Sequence, residues 1–173
     1  QNPIDQEGTY PLPEAQVDRF LLKVLVHYPT RDEEREILRR MALAAEVPRV
    51  HAVAGPEDVL AARALIADVY VDPKVEDYVL DVVAATRDPA SRGLGELARW
   101  IQCGASPRAS IALVRAARAR ALLDGRAFVA PEDVKGIAPE VLRHRVVPTW
   151  EAEAEGHSAD GLVRRLLDAV PVP

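Results

Sequence analysis

Two arginines stand where an arginine contributes little to folding and could do much for an anion. Arg19 closes the stretch "LPEAQVDRF", immediately before the apolar run "FLLKVLVHYP". Pro13 presets a short helix and Glu14 lies in its first turn, which holds Arg19 at the edge of whatever the apolar run builds. The structural alternative is an ion pair with Asp18, Glu14 or Glu7. Arg108 lies in "GASPRAS". With Ser106 as N-cap and Pro107 at the first helical position, it falls in a first turn, where a cation opposes the helix dipole by about 0.3–1 kcal/mol. A bound anion reverses that penalty, because free amides and a guanidinium then converge on one phosphate-sized site. The alternatives are a side chain pointing to solvent or one paired with a carboxylate.

Other chemistry is thin. There is no G-x-x-x-x-G-K-[ST] phosphate loop and no Gly-Lys dipeptide. Gly93-Leu94-Gly95 alone is a weak cofactor signal, and no serine sits in a nucleophile-elbow context. The four histidines, His27, His51, His144 and His157, have no metal-ligand spacing, and Cys103 is the one cysteine, so no metal site is expected. A single cysteine also excludes an internal disulfide and fits a reducing compartment. The net charge of −5 and the 5% aromatic content argue against nucleic-acid binding. Arg115 and Arg118 share a helix face from which Arg120 is turned away, and a solvated face making i,i+4 contacts explains them better. No apolar run approaches a membrane span, and no targeting segment is visible.

These residues need elements to position them. The 173 residues suffice for one ordinary domain, or a small domain plus a piece of another. The run "FLLKVLVHYP", broken only by Lys23, reads as a strand buried on both faces, of the kind found in parallel sheets, yet no second strand run lies nearby. From Thr30 onward the signals are helical. Thr30 and Glu33 have capping-box spacing, for a helix reaching about Ala45. Gly55-Pro56-Glu57-Asp58-Val59 and Ala130-Pro131-Glu132-Asp133-Val134 start two more helices with shared start chemistry. Asp72-Pro73 starts one with Val75, Tyr78, Val79, Val82 and Val83 on one face. Ser106-Pro107 starts another, ending at Gly125. Ser158 or Asp160 opens a last one through Leu162, Val163, Leu166 and Leu167. Two loops stand out, 47–56 and 86–107. The second carries a helical turn near Leu97–Ile101, and a short strand-like piece follows His144. The expected fold is mainly α: one strand with its loop, then a helical bundle.

Together the blocks "QNPIDQEGTYPLPEAQVDRFLLKV" and "GASPRASIALVRAARARALLDGRAFVAPEDVKGIAPEVLRHRVV" resemble, in the family's order, the second half of the ATPase core and the C-terminal lid of MoxR-type AAA+ proteins. More distantly, the chain is similar to magnesium-chelatase ATPase subunits and MCM helicases. The resemblance implies that residues 1–29 end an α/β ATPase core, 30–70 are connecting helices that could form an insertion before sensor 2, 71–147 are the helical lid, and 148–173 are a tail with a short helix. It implies that Asn2 is the sensor-1 residue orienting the water that attacks the γ-phosphate. Arg19 would be the arginine finger reaching the ATP site of the next subunit, and Arg108 the sensor-2 arginine.

It further implies a cytoplasmic ring homo-oligomer, expected to be a hexamer. That ring would use ATP and Mg²⁺ to remodel or mature client proteins alongside a von Willebrand factor A-type partner. The phosphate loop and Mg²⁺-binding acids would precede Gln1. The expectation is therefore of a C-terminal fragment of an ATPase that alone neither hydrolyses ATP nor binds it tightly. The alternative is a non-enzymatic helical protein-interaction module. A nucleic-acid motor like the helicase relatives is disfavoured by charge and composition.

Overall fold

A computed structural model describes residues 12–43 and 49–173. Its helices begin where side chains can close the first unpaired backbone amides. Thr30 accepts from the Glu33 amide (3.4 Å), and the Glu33 carboxylate accepts from the Thr30 amide (2.7 Å). That capping box opens α2 (Arg31–Leu38), which continues as a π-helical turn, Arg39–Leu43. The two "PEDV" starts share one device: the aspartate reaches back to the amide three residues earlier. Asp58 accepts from Gly55 at α3 (Pro56–Leu65), and Asp133 accepts from Ala130 at α7 (Pro131–Leu142), both at 2.8 Å. Asp72, Ser106 and Ser158 are side-chain N-caps of α4 (Pro73–Arg87), α6 (Pro107–Leu123) and α9 (Ala159–Ala169). Gly125, at φ 74°, ends α6, a conformation in which a Cβ would be strained.

The described chain forms two compact units. One comprises Val24–Ala64; the other comprises 12–23 with Leu65–Pro173. In the larger unit, α4, α6, α7 and α9 enclose the core. The five residues expected on one face of α4 are all buried, as are Leu162, Val163, Leu166 and Leu167 of α9. The buried face of α6 is nearly all alanine (Ala109, Ala112, Ala116, Ala117, Ala121, with Leu113), and such short side chains let neighbouring helices approach closely. No described helix is long and apolar enough to cross a membrane.

The molecule is mainly α, as expected, but "FLLKVLVHYP" is not a paired strand. Residues 22–30 are irregular, and Val26 and Tyr28 are exposed. A buried strand exists only through ladder partners, and none pairs with this run among the described residues. Among the described residues its amides bond at Phe20 to the preceding Val17 carbonyl (3.1 Å) and at Lys23 to the Glu140 carbonyl (2.8 Å). The strands found are β1 (Ile101–Cys103) and β2 (Val147–Pro148), antiparallel with Ile101 opposite Pro148 and an irregularity before Cys103. The loop expected over 86–107 is thus largely structured. It contains a 3₁₀ turn at Ala90–Arg92, α5 (Gly95–Ala98) and β1.

The end of α4 fixes the start of α6. Buried Thr86 donates its hydroxyl proton to the Val83 carbonyl (2.7 Å), and its Oγ1 accepts from the Ala105 amide (2.9 Å). Arg87 Nε donates to the Ala105 carbonyl (2.6 Å). Between them Gly104 runs so close to α4 that a Cβ would lie 2.4 Å from the Thr86 carbonyl oxygen. Backbone atoms cannot yield as a flexible side chain would. Gly104→Ala is therefore expected to destabilise the protein by about 1–3 kcal/mol, as overpacking does. Gly95→Ala, with open space around its Cβ, should be neutral or slightly stabilising. Thermal melts of the two variants side by side check the contrast.

Candidate functional site

The two arginines singled out by sequence stand differently to Asp18: Arg19 follows it in the chain, and Arg108 pairs with its carboxylate. α1 (Glu14–Val17) ends in Asp18, whose Oδ2 lies 3.1 Å from Arg108 Nη1. Ser106 Oγ donates to the same carboxylate, at 2.9 Å to Oδ2. Ser106 Oγ also accepts from the Arg108 amide (3.2 Å), so the N-cap of α6 and Asp18 are joined. An anion does sit at this helix start, and it is a side chain of the protein. This is the carboxylate-paired alternative for Arg108, and it offsets the unfavourable position of a cation in a first turn. The Arg108 side chain remains 58% exposed.

A third arginine, Arg145, is the centre of the cluster, and sequence reasoning missed it. It follows α7 in a turn, and its side chain is only 2% exposed. Nε donates to Asp18 Oδ1 (3.0 Å). Nη2 donates to the carbonyls of Asp18 (2.9 Å) and Phe20 (2.6 Å), and Nη1 to those of Leu21 (3.3 Å) and Val141. The two preceding residues hold the same segment. His144 Nε2 is 3.2 Å from the Phe20 carbonyl oxygen, and Arg143 Nη1 donates to the Lys23 carbonyl (3.0 Å). Arg143 is itself oriented by Asp160 (2.9 Å) and Glu140 (3.3 Å). The run "RHR" thus clamps the backbone of residues 18–23. A signal was present in three consecutive polar residues after an apolar helix, but nothing in their spacing pointed 120 residues upstream.

Arg19 lies inside the clamp and takes no side-chain part in it. It is exposed and makes no ion pair among the described residues. Asp18, one of the partners considered for it, is taken by Arg145 and Arg108, and Glu14 does not reach it. Asn2 and Glu7 lie outside the described residues. Of the other arginines, Arg120 approaches Asp133 (3.8 Å), and Arg126 grips the same carboxylate with two bonds of 2.6 Å. Among the described residues no group of His, Cys, Asp or Glu can hold a metal ion.

The clamp has a definite response to pH. Burial alone would raise the Asp18 carboxyl, but hydrogen bonds from Ser106, Arg108 and Arg145 outweigh it and hold the group below its usual range. Burial lowers the His144 imidazole, the bond with the Phe20 carbonyl opposes this, and the nearby charges of Arg145 and Lys23 lower it further. In both cases the folded state binds fewer protons than the unfolded one, so stability falls as pH falls. The His144 contribution is lost on descending from about pH 6.5, and the Asp18 contribution only below about pH 4. The melting temperature should therefore be lower at pH 5 than at pH 7. His144→Gln, which keeps an N–H for the Phe20 carbonyl and cannot titrate, should shrink that drop in a paired thermal denaturation series.

The chain matches two family models. Residues 98–166 match the AAA lid domain, and residues 1–22 match the ATPase family associated with various cellular activities (AAA). Over its whole length it is 44% identical to Chaperone MoxR1 of Mycobacterium tuberculosis, covering 45% of that protein. It is 36% identical to Protein MoxR of Paracoccus denitrificans, again over the whole chain and 54% of the relative. In three dimensions it superposes on a protein of Cytophaga hutchinsonii, provisionally assigned as an ATPase, with a TM-score of 0.92 and 42% identity. All of this chain and 52% of that one are covered. The chain spans about half the length of the curated relatives it matches. Both family models match in order along one chain, and over its whole length the chain is similar to proteins named MoxR, so MoxR-type AAA proteins are its relatives.

Proposed function

We propose that this chain contributes the charge-sensing and subunit-crossing parts of an ATP-hydrolysing MoxR-type machine, a ring that remodels or matures client proteins. In this reading Arg19 is the arginine finger, Arg108 the sensor-2 arginine and Asn2 the sensor-1 residue. Further expectations carried from the resemblance are a ring of six, a von Willebrand factor A-type partner and a cytoplasmic setting. The observation that carries the reading is the treatment of Arg19. Its backbone neighbours are pinned by Arg145 and His144, while its own side chain is exposed and unengaged among the described residues. A guanidinium held at its root and open at its tip suits a group that must meet an anion supplied by another molecule. There it would stabilise charge on a phosphoryl group in transfer.

Nucleotide fits this chain only in part. Arg108, at a helix N-terminus and more than half exposed, can face a phosphate once it releases Asp18. No residue stretch here forms a phosphate loop, and no described cluster would hold Mg²⁺. ATP and Mg²⁺ would supply the anion and its counter-charge; the chain's part is to present the two arginines.

Two measurements test the proposal. In the full-length protein Arg19→Ala should lower ATP turnover by about 10³-fold or more, the usual contribution of such a finger, while leaving nucleotide affinity unchanged. Near-normal turnover in that variant would sink the finger assignment. For the 173-residue chain alone, isothermal titration should show no stoichiometric binding of ATP in the micromolar range. Tight binding there would mean that a nucleotide pocket exists within it.

A further inference from the structure

We infer that Arg145 is a positioning residue for Arg19, fixing the backbone on both sides of it so that its side chain leaves the chain from a fixed place and in a fixed direction. The inference rests on the reading of Arg19 as a residue acting on a neighbouring subunit, and it extends that reading to a residue 126 positions away in sequence.

The argument begins with where the bonds of Arg145 go. Of its five acceptors, four belong to residues 18–21: the Asp18 carboxylate and the carbonyls of Asp18, Phe20 and Leu21. The carbonyls of Asp18 and Phe20 flank Arg19, and both are held by the same nitrogen, Nη2, at 2.9 and 2.6 Å. The Arg19 amide is bonded to the Gln16 carbonyl (3.2 Å), so the backbone is tied before, at and after that residue. Planarity matters. A guanidinium carries five N–H groups in one rigid fork, so fixing its plane against Val141 and Asp18 fixes the carbonyls it also holds. An ammonium has three donors on a flexible stem and cannot satisfy the same set.

Burying a charge this deeply is an expensive way to attach a short segment. Buried ion pairs often add little net stability against an apolar substitute. Apolar contacts could have docked residues 18–23 at lower cost, yet Phe20 and Leu21 are exposed and only Leu22 packs against the core. The segment is therefore held by direction-specific bonds and hardly by burial. Such bonds fix orientation, and the residue whose orientation they fix, without using its side chain, is Arg19.

The test uses the full-length, assembled protein with ATP as the probe. Four proteins are compared: the parent, Arg145→Lys, Arg19→Ala and the double variant. In Arg145→Lys, kcat should fall by about 10²-fold, the scale of a misplaced reacting group, with nucleotide affinity and KM within about twofold of the parent. In the Arg19→Ala background the same lysine should cause no further loss of kcat, because there is no finger left to misplace. Equal fold-losses from Arg145→Lys in both backgrounds would overturn the inference, showing that Arg145 acts elsewhere. So would a parent-like kcat in Arg145→Lys beside a crippled Arg19→Ala. A parent-like kcat in Arg19→Ala would instead sink the finger reading itself, and this inference with it. If Arg145→Lys does not assemble, Arg145→Gln takes its place in the cycle. It loses the planar five-donor fork and leaves the Asp18–Arg108 pair in place, and the same absence of further loss in the Arg19→Ala background is required.

Discussion

The attachment of residues 18–23 to the helical bundle depends on one buried ion pair, Arg145 with Asp18. A guanidinium that is 2% exposed needs every donor accounted for, and it needs a countercharge. The carboxylate supplies the charge, and four backbone carbonyls take the remaining donors. Removing Asp18 would strand the charge, and removing Arg145 would take its donor from the carbonyls of Asp18, Leu21 and Val141. Each makes the other tolerable, which is why the segment can dock with few apolar contacts of its own. The turn after α7 makes this possible. Once the helix ends at Leu142, three consecutive side chains can reach one strip of backbone, which they could not do from a helix face where neighbours diverge by 100°.

The same carboxylate sets the electrostatics of the α6 start. Two cations, Arg108 and Arg145, repel each other across it, and Ser106 adds a hydroxyl proton. The positive end of the helix favours an anion there, and Asp18 provides one. The pairing also makes the placement of Arg108 conditional. Held by a bond of 3.1 Å and largely in solvent, it contributes little to stability as an exposed pair.

What sequence reveals here follows the range of the interactions. Helix starts are local, and Thr30, Asp72, Ser106 and Ser158 all cap as their spacing suggests. The periodic faces of α4 and α9 are local too, and they are buried as read. The run "FLLKVLVHYP" misled because an apolar stretch advertises burial without naming its partners, and the described residues offer it none. β2 coincides with the strand-like piece read after His144, whereas β1 was missed because a strand of three residues has no period to detect; beside them the Thr149 amide donates to the Trp100 carbonyl. The Asp18–Arg145 pair spans 127 residues. Nothing local marks it, and its formation is what leaves Arg19 without the neighbouring carboxylate that a reading from spacing would have given it.

The backbone that carries Arg108 is rigid, because α6 is anchored at both ends. At its start, Thr86 and Arg87 lock the Ala105 peptide while Gly104 lets α4 come within contact. Beyond its end, Arg126 forks onto the buried Asp133 of α7, which also caps its own helix. That carboxylate is held low chiefly by Arg126, despite its burial. A helix fixed in this way cannot rotate without breaking charge-assisted bonds at both ends, so Arg108 can change partner only by moving its own side chain. Arg19 is the converse case, in the turn after a four-residue helix with no buried residue, and its backbone is held by an external clamp. The two arginines are therefore held by different means, one by the beam that carries it and the other by a residue on the far side of the sequence, and Asp18 is the group that both arrangements share.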